Sequence, residues 1–166
     1  TSDKASWEYD IIAPGFKSNL PDVLSAIGRV QLKKADLFAE KRKKIVKKYN
    51  EAFKDCDFLT LPPDGEGNAW HLYMIQLNLE KLDCTRNEFA KELQSCGLGI
   101  SMHFIAIYNF SYWKERYPEF TPEKFPNAQK HYERSITIPL WPDMTEEMAD
   151  YVIETVIQTG KKHHAR

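Results

Sequence analysis

Apolar residues recur along the chain at two periods, and the changes between them mark out helices and strands. Val23, Ile27 and Val30, with Leu24 and Ala26 beside them, form a short stripe at helical spacing. Pro21 suits a first helical position and Asp22 suits the positive end of the helix dipole, so a helix opens there with Asn19 or Leu20 as its cap. Leu37, Ile45, Tyr49 and Phe53 continue one face at multiples of four, as far as Asp55. That run is longer than an average helix and predicts two helices or a bend near Lys33–Asp36. A Pro/Gly-rich loop from Leu61 to Gly67 leads into a predicted strand over Ala69–Leu79, rich in aromatic and branched residues. Thr85-Arg86-Asn87-Glu88 is a capping box, opening a helix whose buried face is Phe89, Leu93 and Cys96 and which Gly97 ends. A second strand is expected over Ile100–Ile105, a short aromatic helix over Tyr108–Tyr117, a helix over Asn127–Arg134 and a third strand over Ser135–Pro139. Asp143-Met144-Thr145-Glu146 caps a last helix with Met148, Val152 and Val156 on its face and Tyr151 and Ile153 alongside. The fold class is therefore α/β of an α+β-like kind, a small sheet of about three strands covered by helices on at least one side. Residues 1–20 read as an extended arm, 21–160 as the compact domain and 161–166 as a frayed, solvated tail.

Composition narrows the function classes. The chain has 166 residues, long enough for one domain with a sizeable core, and its 42% hydrophobic content supplies one. Four Trp, eight Tyr and nine Phe exclude a disordered tail. Lys plus Arg (23) nearly balances Asp plus Glu (24), so no overall basic field draws nucleic acid or an anionic membrane. No apolar run approaches the ~20 residues that cross a bilayer, and Thr1–Tyr9 has no hydrophobic signal core. Three cysteines without C-x-x-C spacing predict reduced thiols and a cytoplasmic setting.

Several chemistries fail on spacing. Among the five histidines no pair sits one helical turn apart, so no metal site is expected. There is no G-x-S-x-G elbow and no glycine-rich phosphate cradle. The basic run Lys41-Arg42-Lys43-Lys44 with Lys47-Lys48 lies between apolar helix positions and reads as a water-facing side, not a nucleic-acid surface. His71 and His103 each fall inside a predicted strand among aromatics. There an imidazole is either hydrogen-bonded as part of the structure or lines a cleft, because an unpaired buried polar group costs about 1–3 kcal/mol.

Four blocks occur in an order that carries a resemblance. They are Ile12-Ala13-Pro14-Gly15-Phe16-Lys17-Ser18-Asn19-Leu20-Pro21-Asp22-Val23 with Ala26-Ile27-Gly28 and Gln31-Leu32; Ala69-Trp70-His71-Leu72-Tyr73; Gly99-Ile100-Ser101-Met102-His103-Phe104; and Tyr132-Glu133-Arg134-Ser135 through Ile138-Pro139-Leu140-Trp141-Pro142-Asp143-Met144-Thr145. From Trp7 to Ile157 the chain resembles the C-terminal part of the pyridoxal-phosphate-dependent sugar aminotransferases of the DegT/DnrJ/EryC1/StrS family. Within that family it is most similar to the branch that aminates a UDP-linked 4-keto-pentose. The resemblance implies the small C-terminal domain of a fold type I aminotransferase. It implies pyridoxal phosphate (PLP) as cofactor, glutamate as amino donor and a nucleotide-linked keto-sugar as acceptor. It also implies a homodimer, or association with an N-terminal PLP domain, in cell-surface polysaccharide or lipopolysaccharide synthesis.

Residue by residue, the resemblance places Asn19 and then Lys17 toward the partner's cofactor phosphate; Asn19 reads equally as a helix cap. It places His103 on the wall of the sugar cleft, with Tyr108 beside it and His71 on the preceding strand. The family's Schiff-base lysine lies ahead of these blocks, before a Gly-Glu-Gly-Gly stretch; Gly65-Glu66-Gly67 is in the wrong place to be its counterpart. The segment is thus expected to lack the domain that carries that lysine and not to transaminate alone. Ser18 stands where relatives have Tyr; Ala106 stands where they have Pro and Tyr108 where they have His, and those two bear on the sugar that is accepted. The competing expectation is a freestanding non-catalytic module that binds a protein or a nucleotide sugar. Under either reading the Val23–Leu32 helix and the Trp7–Ile12 arm present an apolar patch that drives self-association.

Overall fold

The computed structural model describes residues 16, 18–65 and 67–165. Two compact units divide the chain between Ala35 and Asp36. In the first, helix α1 (Asp22–Leu32) starts after Pro21, whose carbonyl accepts the Ser25 N–H at 2.9 Å. Pro21 is therefore the cap rather than the first helical residue: its φ of −59° suits a helix, but its ψ of 147° is extended. That moves the cap away from Asn19 and Leu20, and no side chain caps α1. The expected bend falls at Lys33 and Lys34, where the Lys34 N–H donates to the Gln31 carbonyl at 2.9 Å. No residue of α1 is buried. Of the arm expected at residues 1–20, residues 1–15 and 17 lie outside the described residues.

In the second unit, helix α2 (Ala35–Phe53) buries Ile45, Val46, Tyr49 and Phe53, a stripe repeating every four residues. Tyr49 packs edge-on against Tyr73 at 5.1 Å and donates its hydroxyl to the Pro139 carbonyl at 2.8 Å. Leu37, expected on the same face, is exposed because burial on α2 begins only at Ile45. The sheet has three antiparallel strands in the order β1 (Leu59–Thr60), β2 (Tyr73–Leu77), β3 (Ser135–Ile138). β2, the central strand, alternates, with Tyr73, Ile75 and Leu77 buried, while β3 is buried at all four positions.

The strand count agrees with the sequence, but two of the strands differ. β1 has two residues, too few for alternation to reveal. The expected strand Ile100–Ile105 shrinks to one bridge, in which Ser101 and Thr137 exchange backbone hydrogen bonds of 3.1 and 2.7 Å. Beyond it Phe104 and Ile105 are both exposed, so neither face of the extended segment has a layer to bury against. β2 starts four residues later than Ala69 because Asn68 accepts the Trp70 N–H at 2.9 Å and Trp70 takes a positive φ of 48°. That turn ends any extended conformation ahead of it.

Helix α3 (Arg86–Ser95) begins at the expected capping box: the Glu88 N–H donates to Thr85 Oγ1 and the Thr85 N–H to Glu88 Oε2. It buries Phe89 and Leu93 and ends where Gly97 takes a φ of 83°. Cys96, expected inside, is exposed, because it caps the helix instead of belonging to its last turn. Two short helices, α4 (Ser111–Arg116) and α5 (Pro126–Arg134), precede β3. The last helix, α6 (Glu146–Lys162), is capped by Thr145, which accepts the Met148 N–H at 3.2 Å. Its buried stripe is Ala149, Val152, Val156 and Gly160; Met148 and Tyr151 sit at the edge and are half exposed. Gly160 is obligatory for a reason of space, since a Cβ there would stand 2.1 Å from the Phe58 ring.

Two charged segments serve as fasteners. Lys41 pairs with Asp143 at 2.6 Å, and Lys48 pairs with Glu146 and Asp150 at 2.6 and 2.9 Å, so part of the basic run ties α2 to the start of α6. The tail expected to fray is pinned as far as Ala165. Leu82 and His164 form an antiparallel bridge, and the Asp83 N–H and Ala165 N–H donate to the His163 and Lys81 carbonyls, both at 2.8 Å.

Candidate functional site

The bridge at Ser101 delivers His103 to the edge of β3. Its Nδ1 lies 2.8 Å from Thr137 Oγ1, a buried strand residue, and its ring stands edge-on to Phe104 at 4.6 Å. The imidazole is half-buried and held by one nitrogen, leaving Nε2 as the nitrogen that faces away from Thr137. Such a ring suits hydrogen bonding to a ligand hydroxyl or holding a proton.

The chain then runs through an aromatic segment. Tyr108 stacks on Phe125 at 5.5 Å, Phe125 meets Phe120 at 5.8 Å, and Phe120, Tyr117 and Trp113 stack in turn at 5.6 and 5.2 Å. Tyr108 is buried, and its hydroxyl donates to Gln129 Oε1 at 3.1 Å. Its phenol is committed to α5 rather than presented to a cleft, and burial pushes its pKa up.

The other predicted residues are dispersed. His71 is exposed at the bend before β2, not inside a strand, so it is neither a satisfied core histidine nor part of a buried constellation. Asn19 belongs to the first unit, is exposed and caps no helix. Lys17 lies outside the described residues. No described hydrogen bond or ring stack links His103 with His71 or Tyr108.

Two cavities carry none of these residues. One, of about 720 Å³, lies between α2 and the 64–70 loop and is lined by Lys43, Lys47, Lys54, Asn50 and Trp70. The other, of about 640 Å³, is an apolar groove formed by Leu98, Trp141, Met144, Met148, Tyr151 and Val152. Sequence periodicity gave no sign of either, because each joins segments distant in the chain.

PLP makes a specific demand on a protein: a lysine whose amine is kept unprotonated by burial or by neighbouring cations. Among the described residues no lysine is buried. Lys41 and Lys48 are half-buried, but each faces carboxylates, and hydrogen bonds from Lys48 to Asp150 and Glu146 raise its pKa, the opposite of what is required. The described lysines do not fit the role.

Residues 1–157 match the model of the DegT/DnrJ/EryC1/StrS aminotransferase family, and the chain belongs to that family. It is 35% identical over 158 residues to the spore coat polysaccharide biosynthesis protein SpsC of Bacillus subtilis and 36% identical over 157 residues to the uncharacterized protein MJ1066 of Methanocaldococcus jannaschii. Each alignment takes in 93% of this chain but 40% of the relative. Among solved structures, the sugar aminotransferase Spr1654 of Streptococcus pneumoniae in its PMP form matches with a TM-score of 0.81 at 29% identity, over 95% of this chain and 39% of that one. PseC of Helicobacter pylori, an aminotransferase of pseudoaminic acid biosynthesis, shares the fold with a TM-score of 0.81 at 24% identity, over 96% of this chain and 42% of its own. The fold is thus that of the fold type I aminotransferases, and the chain spans about two fifths of the length of the relatives it matches.

Among the described residues no helix is long and apolar enough to cross a membrane.

Proposed function

We propose that this chain forms the small lobe of a PLP-dependent enzyme that passes an amino group from glutamate to a nucleotide-linked keto-sugar, in the cytoplasm, for cell-surface polysaccharide or lipopolysaccharide synthesis. The observation that carries the reading is His103, fixed at the sheet edge by Thr137 within a family match covering nearly the whole chain. In this reading His103 Nε2 meets the sugar nucleotide from the cleft wall, and Tyr108 stiffens that wall through its stack on Phe125. His71 stands at the rim. Asn19, freed from capping α1, and Lys17 reach the cofactor phosphate of a partner subunit in a homodimer. The reactive lysine is contributed by polypeptide beyond these residues, in an N-terminal PLP domain, and no step is assigned to a lysine described here. Ala106 sits beside the cleft and tunes which keto-sugar enters.

The lysine observation equally suits a non-catalytic binding module, and reconstitution separates the two. The chain is mixed with a separately produced large lobe of a family member, glutamate and a UDP-linked keto-sugar. Amino transfer that appears only in the mixture, and falls about tenfold or more with His103→Ala, supports the enzyme reading. Absence of transfer supports the module; transfer indifferent to His103→Ala removes the role given to that histidine.

A further inference from the structure

The corner where the end of α6 meets the segment ahead of α3 gathers three metal-ligating side chains. Asp83, Cys84 and His163 each place a ligand atom within 4.8 Å of the others. His163 Nδ1 lies 3.0 Å from Asp83 Oδ1, and His163 Nε2 lies 2.8 Å from Glu92 Oε2. Both ring nitrogens face carboxylate oxygens, so each donates its N–H, Nε2 to Glu92 and Nδ1 to Asp83, and a metal ion held by Asp83 and His163 takes the place of the Nδ1 proton. This is the arrangement in which an outer carboxylate orients a ligating imidazole. Glu92 is itself held by Lys162 Nζ at 2.7 Å. The cluster does not depend on its own side chains for assembly, because the Asp83 N–H donates to the His163 carbonyl and Leu82 bridges His164. Asp83 and Glu92 flank the His163 ring, so the corner carries negative charge that a cation offsets. A mixed sulfur, nitrogen and oxygen donor set selects zinc or cobalt over calcium or magnesium.

We infer that Asp83, Cys84 and His163 bind a divalent metal ion of the zinc type through three protein ligands, leaving one position for water. On binding, the Cys84 thiol and His163 Nδ1 each give a proton to solvent, and the ion staples the C-terminus of α6 to the base of α3. The site goes beyond the proposed aminotransferase role and stands independently of it. Its ligands are 80 residues apart at Asp83 and His163, so histidine spacing along the sequence could not reveal it.

The test is titration of the purified, chelator-treated chain with cobalt(II), then zinc(II). One equivalent of cobalt is expected to bind with a sulfur-to-metal charge-transfer absorption, and zinc to raise the melting temperature. Cys84→Ser is expected to abolish the absorption, His164→Gln to leave it intact, and Glu92→Gln to weaken binding roughly 10–100-fold. Absence of the absorption, or its persistence in Cys84→Ser through Cys56 or Cys96, overturns the site. Should Cys84→Ser fail to fold, Glu92→Gln keeps all three ligands, and an unchanged affinity in it overturns the site as well.

Discussion

Helices α1 and α6 are built from similar material and end differently. Both carry an apolar stripe at helical spacing and acidic residues in the first turn. α6 buries Ala149, Val152 and Val156, while on α1 Val23, Leu24, Ile27 and Val30 are 72, 53, 55 and 51% exposed. The 3.6-residue period says that a helix has a face; what covers that face depends on residues elsewhere. α6 finds its cover in this chain, against α3, and an apolar face of α1's extent marks an interaction surface.

The contrast can be broken from the α6 side first. Phe89, fully buried on α3 where it packs against α6, is expected to cost about 3–5 kcal/mol on truncation to Ala, read as a lowered denaturant midpoint at constant slope. Gly160→Ala overfills α6 against Phe58 and is expected to cost about 1–3 kcal/mol in the same measurement. Thr145→Ala removes the α6 cap for about 1 kcal/mol. On α1, Ile27→Glu is expected to leave stability within about 0.5 kcal/mol of the parent but to reduce self-association seen by light scattering. A parent chain that is strictly monomeric contradicts the reading of that face.

The smallest expected effect is electrostatic. A two-pronged Arg134–Glu80 pair, at 2.6 and 2.7 Å, joins the end of α5 to the turn after β2. The Arg134 guanidinium holds Glu80 down from 4.5 to about 2. A depressed carboxyl contributes stability that is complete above pH 4.5 and lost as pH falls toward 2. Glu80→Gln should therefore lower stability above pH 4.5 by a small amount, and by progressively less as pH falls toward 2, the effect being kept small because Glu80 is exposed.

What could be read in the sequence was local. The Thr85–Glu88 box, the stop at Gly97, the bend at Lys33–Lys34 and the cap at Thr145 each depend on residues within a turn of one another, and each is found where the residues place it. What could not be read was set at a distance. The Ile100–Ile105 alternation found cover for Ile100 and Met102 but none for Phe104 and Ile105, β1 was too short to show a period, and the tail was pinned by the main chain around Leu82. For the candidate site, His103 was visible as a histidine among aromatics, but its partner Thr137 is 34 residues away. Tyr108 turned inward because Gln129 and Phe125, both outside its own segment, offered a hydrogen bond and a stacking face.

The central claim is that this polypeptide shapes a cleft whose reactive amine comes from elsewhere. The most direct test is the absorption spectrum of the purified chain with added PLP, followed by glutamate and a UDP-linked keto-sugar. The expected result is the spectrum of the free aldehyde and no amino transfer. A stoichiometric imine at one lysine, with turnover by the unaided chain, would contradict it.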